Sequence, residues 1–98
     1  MFNFKKIEMY VKNVSGSSRF TKPRGYNSWL AYWEAQIGCK ANICSADGCN
    51  RKDLVGAHVQ KVYSNDNHWY IVPLCSSCNQ RTGTFKVSYK LVPVPSNL

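Results

Sequence analysis

The chain has few acidic residues and no long apolar run. Only 5 of its 98 residues are Asp or Glu, against 13 Lys and Arg, which gives a formal net charge of +8. No segment approaches the roughly 18 consecutive apolar residues that identify a membrane-spanning helix, and no internal repeat or low-complexity tract is present. These absences predict a single domain over 1–98 that does not enter membranes and is attracted to polyanions.

The N-terminal segment also lacks the features of a secretory signal. MFNFKKIEMYVK contains no uninterrupted apolar core and no small-residue cleavage site. We therefore expect the protein in a reducing cytoplasm, where cysteine thiolates remain available for binding a metal.

The cysteines are grouped as metal ligands rather than as disulfide partners. Their number, 5, is odd, and a chain of 98 residues needs a staple beyond its modest apolar core. One pair is C-x2-C, and the other is C-x4-C with Asp47 and Gly48 favouring a tight turn. This arrangement predicts one structural Zn²⁺, bound by Cys44, Cys49, Cys75 and Cys78.

Cys39 offers a second pairing, because Cys39 and Cys44 are also four residues apart. We prefer Cys44 with Cys49, since KANI, residues 40–43, contains no turn residue. Cys39 is then expected to be a lone thiol near the end of a helix. Zinc binding of this kind supplies folding free energy on the order of 10 kcal/mol, so we expect the metal-free chain to be largely unfolded.

Large side chains recur at helical spacing between Asn27 and Gly38. Asn27 or Ser28 is suited to cap the N-terminus of this helix, and Gly38 is suited to end it. Trp29 and Trp33 are interpreted as core residues rather than as a platform for bases, because an exposed tryptophan is costly in a small protein.

The remaining pattern predicts an α+β domain with a short antiparallel sheet. Strands are predicted over 4–14, 54–64, 68–74 and 84–94, with Pro93 and Pro95 restricting the last to an edge. SGSSRFTKPRGYN, residues 15–27, is either an ordinary loop or an arm whose cations and aromatics suit phosphates and splayed bases. Residues 1–26 thus form a basic N-terminal strand and arm that precedes the helix.

The motifs CSADGCN, GAHV and WYIVPLCSSCN, in this order between Cys44 and Asn79, resemble the zinc-containing branch of the HNH (His-Asn-His, or ββα-metal) endonuclease superfamily. The preceding SWLAYWEAQIG is similar to the helix found upstream in a group of small uncharacterised bacterial HNH-like proteins. The resemblance covers roughly residues 27 to 95. It implies a treble-clef, ββα-metal-like zinc module over 44–95 with the helix of residues 27–38 upstream.

The resemblance also implies a nuclease site, which this sequence only partly retains. His58 occupies the position of the general base that activates water, and Asn79 occupies the position of a ligand to a catalytic divalent ion such as Mg²⁺. Ala57 replaces the Asp or His ligand, and Tyr70 replaces a structural Asn of the strand. A site with one neutral ligand holds Mg²⁺ weakly, so we expect the nuclease activity to be impaired or lost.

Each of these site residues also has a structural interpretation. His58 in an inward-facing strand suits a buried structural histidine, and Asn79 suits a helix cap. Asp53, Asp66 and His68 are the candidates for the missing ligand, although the spacing does not require any of them, and His68 beside a turn is expected to be exposed.

Three functions follow from these interpretations. The first is a zinc-binding, nucleic-acid-binding protein, with DNA favoured, whose nuclease site is incomplete. The second is an active metal-dependent endonuclease, a phosphodiesterase with His58 as base, and the third is a zinc-stapled protein-interaction module. The cations expected to contact phosphate are Lys22, Arg24, Arg51, Lys52, Lys61 and Arg81.

Overall fold

The computed structural model describes residues 9–14 and 22–95 as a small α+β domain. Within these ranges the elements are β1 (Met9–Asn13), α1 (Trp29–Ile37), β2 (Leu54–Lys61), β3 (Trp69–Cys75), a 3₁₀ turn (Cys78–Gln80), β4 (Phe85–Val87) and β5 (Val92–Pro93). The predicted class is confirmed, whereas residues 4–8 of the first predicted strand and 15–21 of the predicted arm lie outside the described residues. No helix in the described ranges has the length and apolar character needed to cross a bilayer.

The strands form one antiparallel sheet in the order β4-β1-β2-β3-β5. Because successive side chains of a strand point to opposite faces, the sheet has two distinct sides. The helix face carries Ile71 and Val92 against Trp29 and Trp33 of α1. The opposite side, here called the cysteine face, is formed by residues packed with the cysteines: Val11, Ala57, Val59, Tyr70, Val72, Leu74, Phe85 and Val87.

Helix α1 has the ends that its sequence predicts. The Oγ of Ser28 accepts a hydrogen bond from the N–H of Ala31 at 3.0 Å, so Ser28 is the N-cap. Gly38 adopts φ 90°, a left-handed conformation that glycine tolerates, and its N–H donates to the carbonyl of Glu34 at 2.8 Å. Trp29 and Trp33 are buried, as predicted.

The predicted strand over 84–94 is wrong as a single element, because it is divided into β4 and β5 at opposite edges of the sheet. The segment leaves the ladder at Ser88 and Tyr89, whose N–H groups bond to the fully buried Ser45. Its carbonyl accepts from the N–H of Ser88 at 3.0 Å, and its Oγ accepts from the N–H of Tyr89 at 2.8 Å. These bonds take the backbone out of the ladder with β1, and the chain then crosses the domain to pair with β3.

Gly56 of β2 allows the start of α1 to lie directly on the sheet. A Cβ placed on Gly56 would be 2.5 Å from both the backbone N of Leu30 and the backbone C of Trp29. No real Cβ makes contacts of this length, and both atoms belong to backbone that cannot rotate away. The position of α1 on the sheet therefore requires a residue without a Cβ, glycine, at position 56.

We predict that Gly56→Ala destabilises the protein by about 1–3 kcal/mol, because α1 must move away from β2. Urea denaturation followed by tryptophan fluorescence measures this loss. Val55→Ala, on the neighbouring residue with an exposed side chain, is the matched control and should cost less than about 1 kcal/mol. Equal stability of Gly56→Ala and the unmodified protein would contradict the close approach of helix and sheet.

Candidate metal centre

The four predicted zinc ligands lie together. The Sγ atoms of Cys44, Cys49, Cys75 and Cys78 are all within 4.8 Å of one another, a geometry that can hold a metal ion. The Sγ atoms of Cys49 and Cys75 are 3.8 Å apart, and a tetrahedral ion with bonds of about 2.3 Å to sulfur requires a separation of about 3.8 Å. Disulfide sulfurs would lie about 2.05 Å apart. The spacing therefore fits metal ligands.

The first cysteine pair is held by a tight turn. The N–H of Cys49 donates to the carbonyl of Ala46 at 3.0 Å, and Gly48 adopts φ 80°, as the turn requires. The N–H of Cys44 donates to the carbonyl of Arg51 at 2.9 Å, which closes the loop on itself. The two thiols consequently face the end of β3.

The second pair is placed by the end of β3 and the 3₁₀ turn that follows it. The N–H of Cys75 points at the Sγ of Cys44 at 3.2 Å, and the N–H of Cys78 points at the Sγ of Cys75 at 3.4 Å. Amide groups aimed at sulfur stabilise the thiolate form. The turn geometry thus supplies charge stabilisation as well as ligand positions.

The thiols differ in their acidity. Burial raises the pKa of Cys44, and burial together with the hydrogen bond to Cys75 raises the pKa of Cys78 to about 12. The pKa of Cys75 is lowered despite its burial, because the Cys78 N–H and the neighbouring thiols donate to its sulfur. A cation that binds all the sulfurs must displace protons, so its affinity decreases in acid.

Two polar contacts hold the segment that carries Cys75 and Cys78 in place, and the sequence analysis predicts neither of them. The Nδ2 of Asn13 donates to the carbonyls of Cys78 and Arg81 at 3.0 and 2.9 Å, tying the 3₁₀ turn to β1. Asp53 accepts from Nε of Arg51 at 3.0 Å and from Oγ of Ser76 at 3.0 Å. Arg51 lowers the pKa of Asp53 to about 2, so this carboxylate is charged at neutral pH. The R-x-D spacing before β2 was the one local signal for the second contact.

Cys39 is not part of the cluster. It is exposed and follows Gly38 at the end of α1, as predicted for a lone thiol. In the described part of the chain, the four-cysteine group is the one set of three or more His, Cys, Asp or Glu side chains close enough to hold an ion.

His58 lies on the helix face, buried beneath Trp29. The two ring centroids are 4.9 Å apart with the planes nearly perpendicular, and His58 is 4% exposed. Burial lowers the pKa of His58 to about 4, so the imidazole is neutral at physiological pH. A histidine in this position has the surroundings of a core residue.

Asn79 lies on the other side of the sheet. It is in the 3₁₀ turn that Asn13 holds, and Asn13 is paired directly with Val59 on the cysteine face. His58 precedes Val59 and its ring contacts Trp29 on the helix face, whereas the turn that contains Asn79 is bound by Asn13 of the cysteine face. Asn79 is also inside the turn, whose N-cap is Ser77, so its predicted capping role is wrong.

The residues considered as replacement ligands are engaged elsewhere. Asp53 is bound to Arg51 and Ser76. Asp66 accepts from the hydroxyl of Tyr70, and it contacts Nδ1 of His68 at 2.9 Å. The side chain of His68 is 83% exposed, as expected. Tyr70, at the position of the structural Asn, thus holds the loop between β2 and β3.

The predicted phosphate-binding cations are distributed rather than clustered. Arg51 and Lys61 lie against Asp53 and Asp66 at 3.0 and 3.5 Å. Arg81 lies over the ring of Phe85, 4.7 Å from its centroid. The other predicted cations are exposed: Lys22, Arg24 and Lys52.

No protein-family model, no curated protein and no solved structure matches this chain. Its function is therefore inferred from its own residues and their geometry.

We predict that the purified protein carries one zinc ion, and that Cys49→Ser or Cys78→Ser removes it. Each serine leaves the tetrahedron with a poor ligand, and the lost zinc supplies folding free energy on the order of 10 kcal/mol. Native mass spectrometry measures the metal content, and circular dichroism measures the folded fraction. Cys39→Ser, the control, should keep both unchanged; loss of the ion from Cys39→Ser would show that the ligand set is wrong.

We also predict that His58 makes the protein less stable in acid. Its folded pKa is about 4, below the ordinary 6.5, so the unfolded chain binds more protons in this window and stability decreases as the pH falls through it. The contribution is about 2 kcal/mol between pH 7 and pH 5. His58→Gln keeps all four cysteines, so urea denaturation of this variant and of the unmodified protein over the same pH range isolates the effect of His58. Parallel pH dependences in the two proteins would refute it.

Proposed function

We propose that this chain is a structural-zinc protein that binds nucleic acid and has an incomplete nuclease site on an HNH-like, treble-clef scaffold. The observation that carries the proposal is the cluster of Cys44, Cys49, Cys75 and Cys78 thiols within 4.8 Å. The nucleic-acid part rests on charge, and the loss of nuclease activity rests on the positions of His58 and Asn79.

The thiol cluster supports zinc in a structural role. Four soft sulfur ligands at tetrahedral spacing suit Zn²⁺, and they fill every coordination position, leaving none for water or substrate. The cluster also connects the turn over residues 44–49 to the end of β3. An ion here therefore stabilises the fold and performs no chemistry of its own.

The distribution of charge supports a polyanionic partner. Every acidic residue in the described ranges lies against a cation: Glu34 with Lys40, Asp47 with Lys86, Asp53 with Arg51, and Asp66 with Lys61. The exposed cations that pair with no carboxylate among the described residues are Lys12, Lys22, Arg24, Lys52, Arg81 and Lys90. Uncompensated cations release counterions when they meet phosphates, which favours nucleic-acid binding.

The separation of His58 and Asn79 supports loss of the nuclease reaction. A general base must reach the water that it deprotonates, and that water must lie beside the metal. His58 is covered by Trp29, Ala57 offers no ligand, and Asn79 is on the opposite face. These positions favour a scaffold that retains its zinc and has lost its catalytic ion.

Nucleic-acid binding is tested by fluorescence anisotropy with a labelled DNA duplex and a single strand of the same length. We expect binding whose affinity falls more than tenfold between 50 and 200 mM salt, because several phosphates are neutralised. A zinc-stapled protein-interaction module would show no binding, or binding that does not depend on salt. Either result would overturn the nucleic-acid part of the proposal.

Loss of catalysis is tested by nicking of supercoiled plasmid in Mg²⁺, Mn²⁺ or Ni²⁺. We expect no nicking above the background shown by His58→Ala, because His58 is not beside an ion site. Nicking by the unmodified protein that His58→Ala abolishes would establish the active endonuclease instead.

A further inference from the structure

The helix face of the sheet is only partly covered. Helix α1 packs mainly on β2, β3 and β5. On β1, Tyr10 and Lys12 alternate with buried Val11 and therefore point to the helix face, beyond the helix. Tyr10 is 47% exposed, and Lys12 is exposed as well. This end of the sheet presents an aromatic ring and an ammonium group to solvent.

A polar groove adjoins these two residues. Lys12 pairs with Gln60 across the β1–β2 ladder, and both side chains line the groove. Its other polar or aromatic lining residues are Lys61, Tyr63, Ser64, Asn67 and Thr84. No carboxylate lines it among the described residues, so its charge complements phosphate.

Tyr63 has an unusual conformation at the rim of this groove. It is the one non-glycine residue of the described chain with positive φ, at 61°, and its side chain is 84% exposed. A left-handed backbone is strained for tyrosine. A ring this exposed buries little apolar surface, so its burial offsets little of the strain. Its ring is edge-on to Tyr10, with the centroids 5.7 Å apart. The ring, oriented by Tyr10 and exposed to solvent, is therefore available to a ligand that stacks on it.

These features match single-stranded nucleic acid better than a duplex. Exposed rings bind unstacked bases of any sequence, and cations beside them follow the backbone. Duplex bases are stacked on each other and offer no free face to Tyr63. Amide and hydroxyl side chains in the groove, such as Asn67 and Ser64, suit hydrogen bonds to base edges.

We propose that this open face, formed by Tyr10, Lys12, Gln60, Tyr63, Asn67 and Thr84, binds a single strand of nucleic acid. Bases stack on Tyr63 and Tyr10, and Lys12 contacts phosphate. The inference rests on the proposed nucleic-acid function and deepens it by naming the form of the partner and the surface that binds it. The surface lies apart from the cysteine cluster, and of the cations predicted to contact phosphate only Lys61 lines its groove.

The test compares binding of a 5′-labelled 15-nucleotide single strand and the matching duplex by zinc-loaded full-length variants. Tyr63→Ala should weaken single-strand binding by roughly tenfold or more and change duplex binding less than twofold. Tyr63→Phe, which keeps the ring, should bind like the unmodified protein. Circular dichroism should show all variants folded, because the Tyr63 side chain is 84% exposed.

The predicted contact between Lys12 and phosphate is tested by substituting Lys12 and, as a control, a second exposed lysine. Lys12→Gln should reduce the slope of log affinity against log salt by about 0.7 for the single strand. Lys40→Gln removes an exposed lysine that follows α1 and lies 3.9 Å from Glu34, and it should leave the single-strand affinity within about twofold.

Three results would overturn the inference. If the unmodified protein binds the single strand but Tyr63→Ala has no effect, or Lys12→Gln has no more effect than Lys40→Gln, the surface is wrong and the proposed function stands. If Tyr63→Ala weakens duplex and single-strand binding equally, the preference for unstacked bases is wrong. If the unmodified protein binds neither nucleic acid, the proposed function fails together with the inference.

Discussion

The fold depends on the meeting of four sulfur atoms between the turn over residues 44–49 and the end of β3. This contact joins the turn to β3, and Ser45 within the turn accepts hydrogen bonds from the N–H groups of Ser88 and Tyr89. Ser45 then fixes both the end of β4 and the crossing to β5. Without a cation, burial keeps thiols such as Cys78 protonated, and the cluster loses the attraction that closes it. The cysteine cluster and the adjacent Ser45 thus link the geometry of the turn to the topology of the sheet.

The two faces of the sheet have different roles. The cysteine face is structural, because the thiol cluster, the 3₁₀ turn and Asn13 cover it. The helix face is divided: α1 buries His58 at one end, and the other end leaves Tyr10 and Tyr63 open to solvent. A catalytic site shared between His58 and Asn79 would need both residues on one side. His58 and Val59 point to opposite faces because side chains alternate along β2, and the turn that contains Asn79 is bound by Asn13, the partner of Val59.

Local signals made part of this structure predictable. Helix α1 was placed by Ser28 and Gly38, and the tight turn by Gly48, because caps and turns are determined by adjacent residues. The division of the last strand was not predictable, since it depends on hydrogen bonds to Ser45, which is 43 residues away. The face of the sheet on which the His58 side chain lies could not be predicted either, because the sequence does not show which face a helix will cover. Local sequence patterns thus predicted the fold class and the candidate ligand set. The arrangement of the site depends on contacts between residues that are distant in the chain, which such patterns do not show.

Strand β1 lies between β4 and β2, although it comes first in the chain and β4 nearly last. In a nascent polypeptide, β1 therefore cannot pair with β4 until Phe85–Val87 has left the ribosome, and contacts between such distant residues form slowly. A fragment that begins at the helix would lack β1 altogether. The backbone of β2 would then present an unpaired edge, and such edges pair with other chains. Pairing with β1 covers this edge of β2.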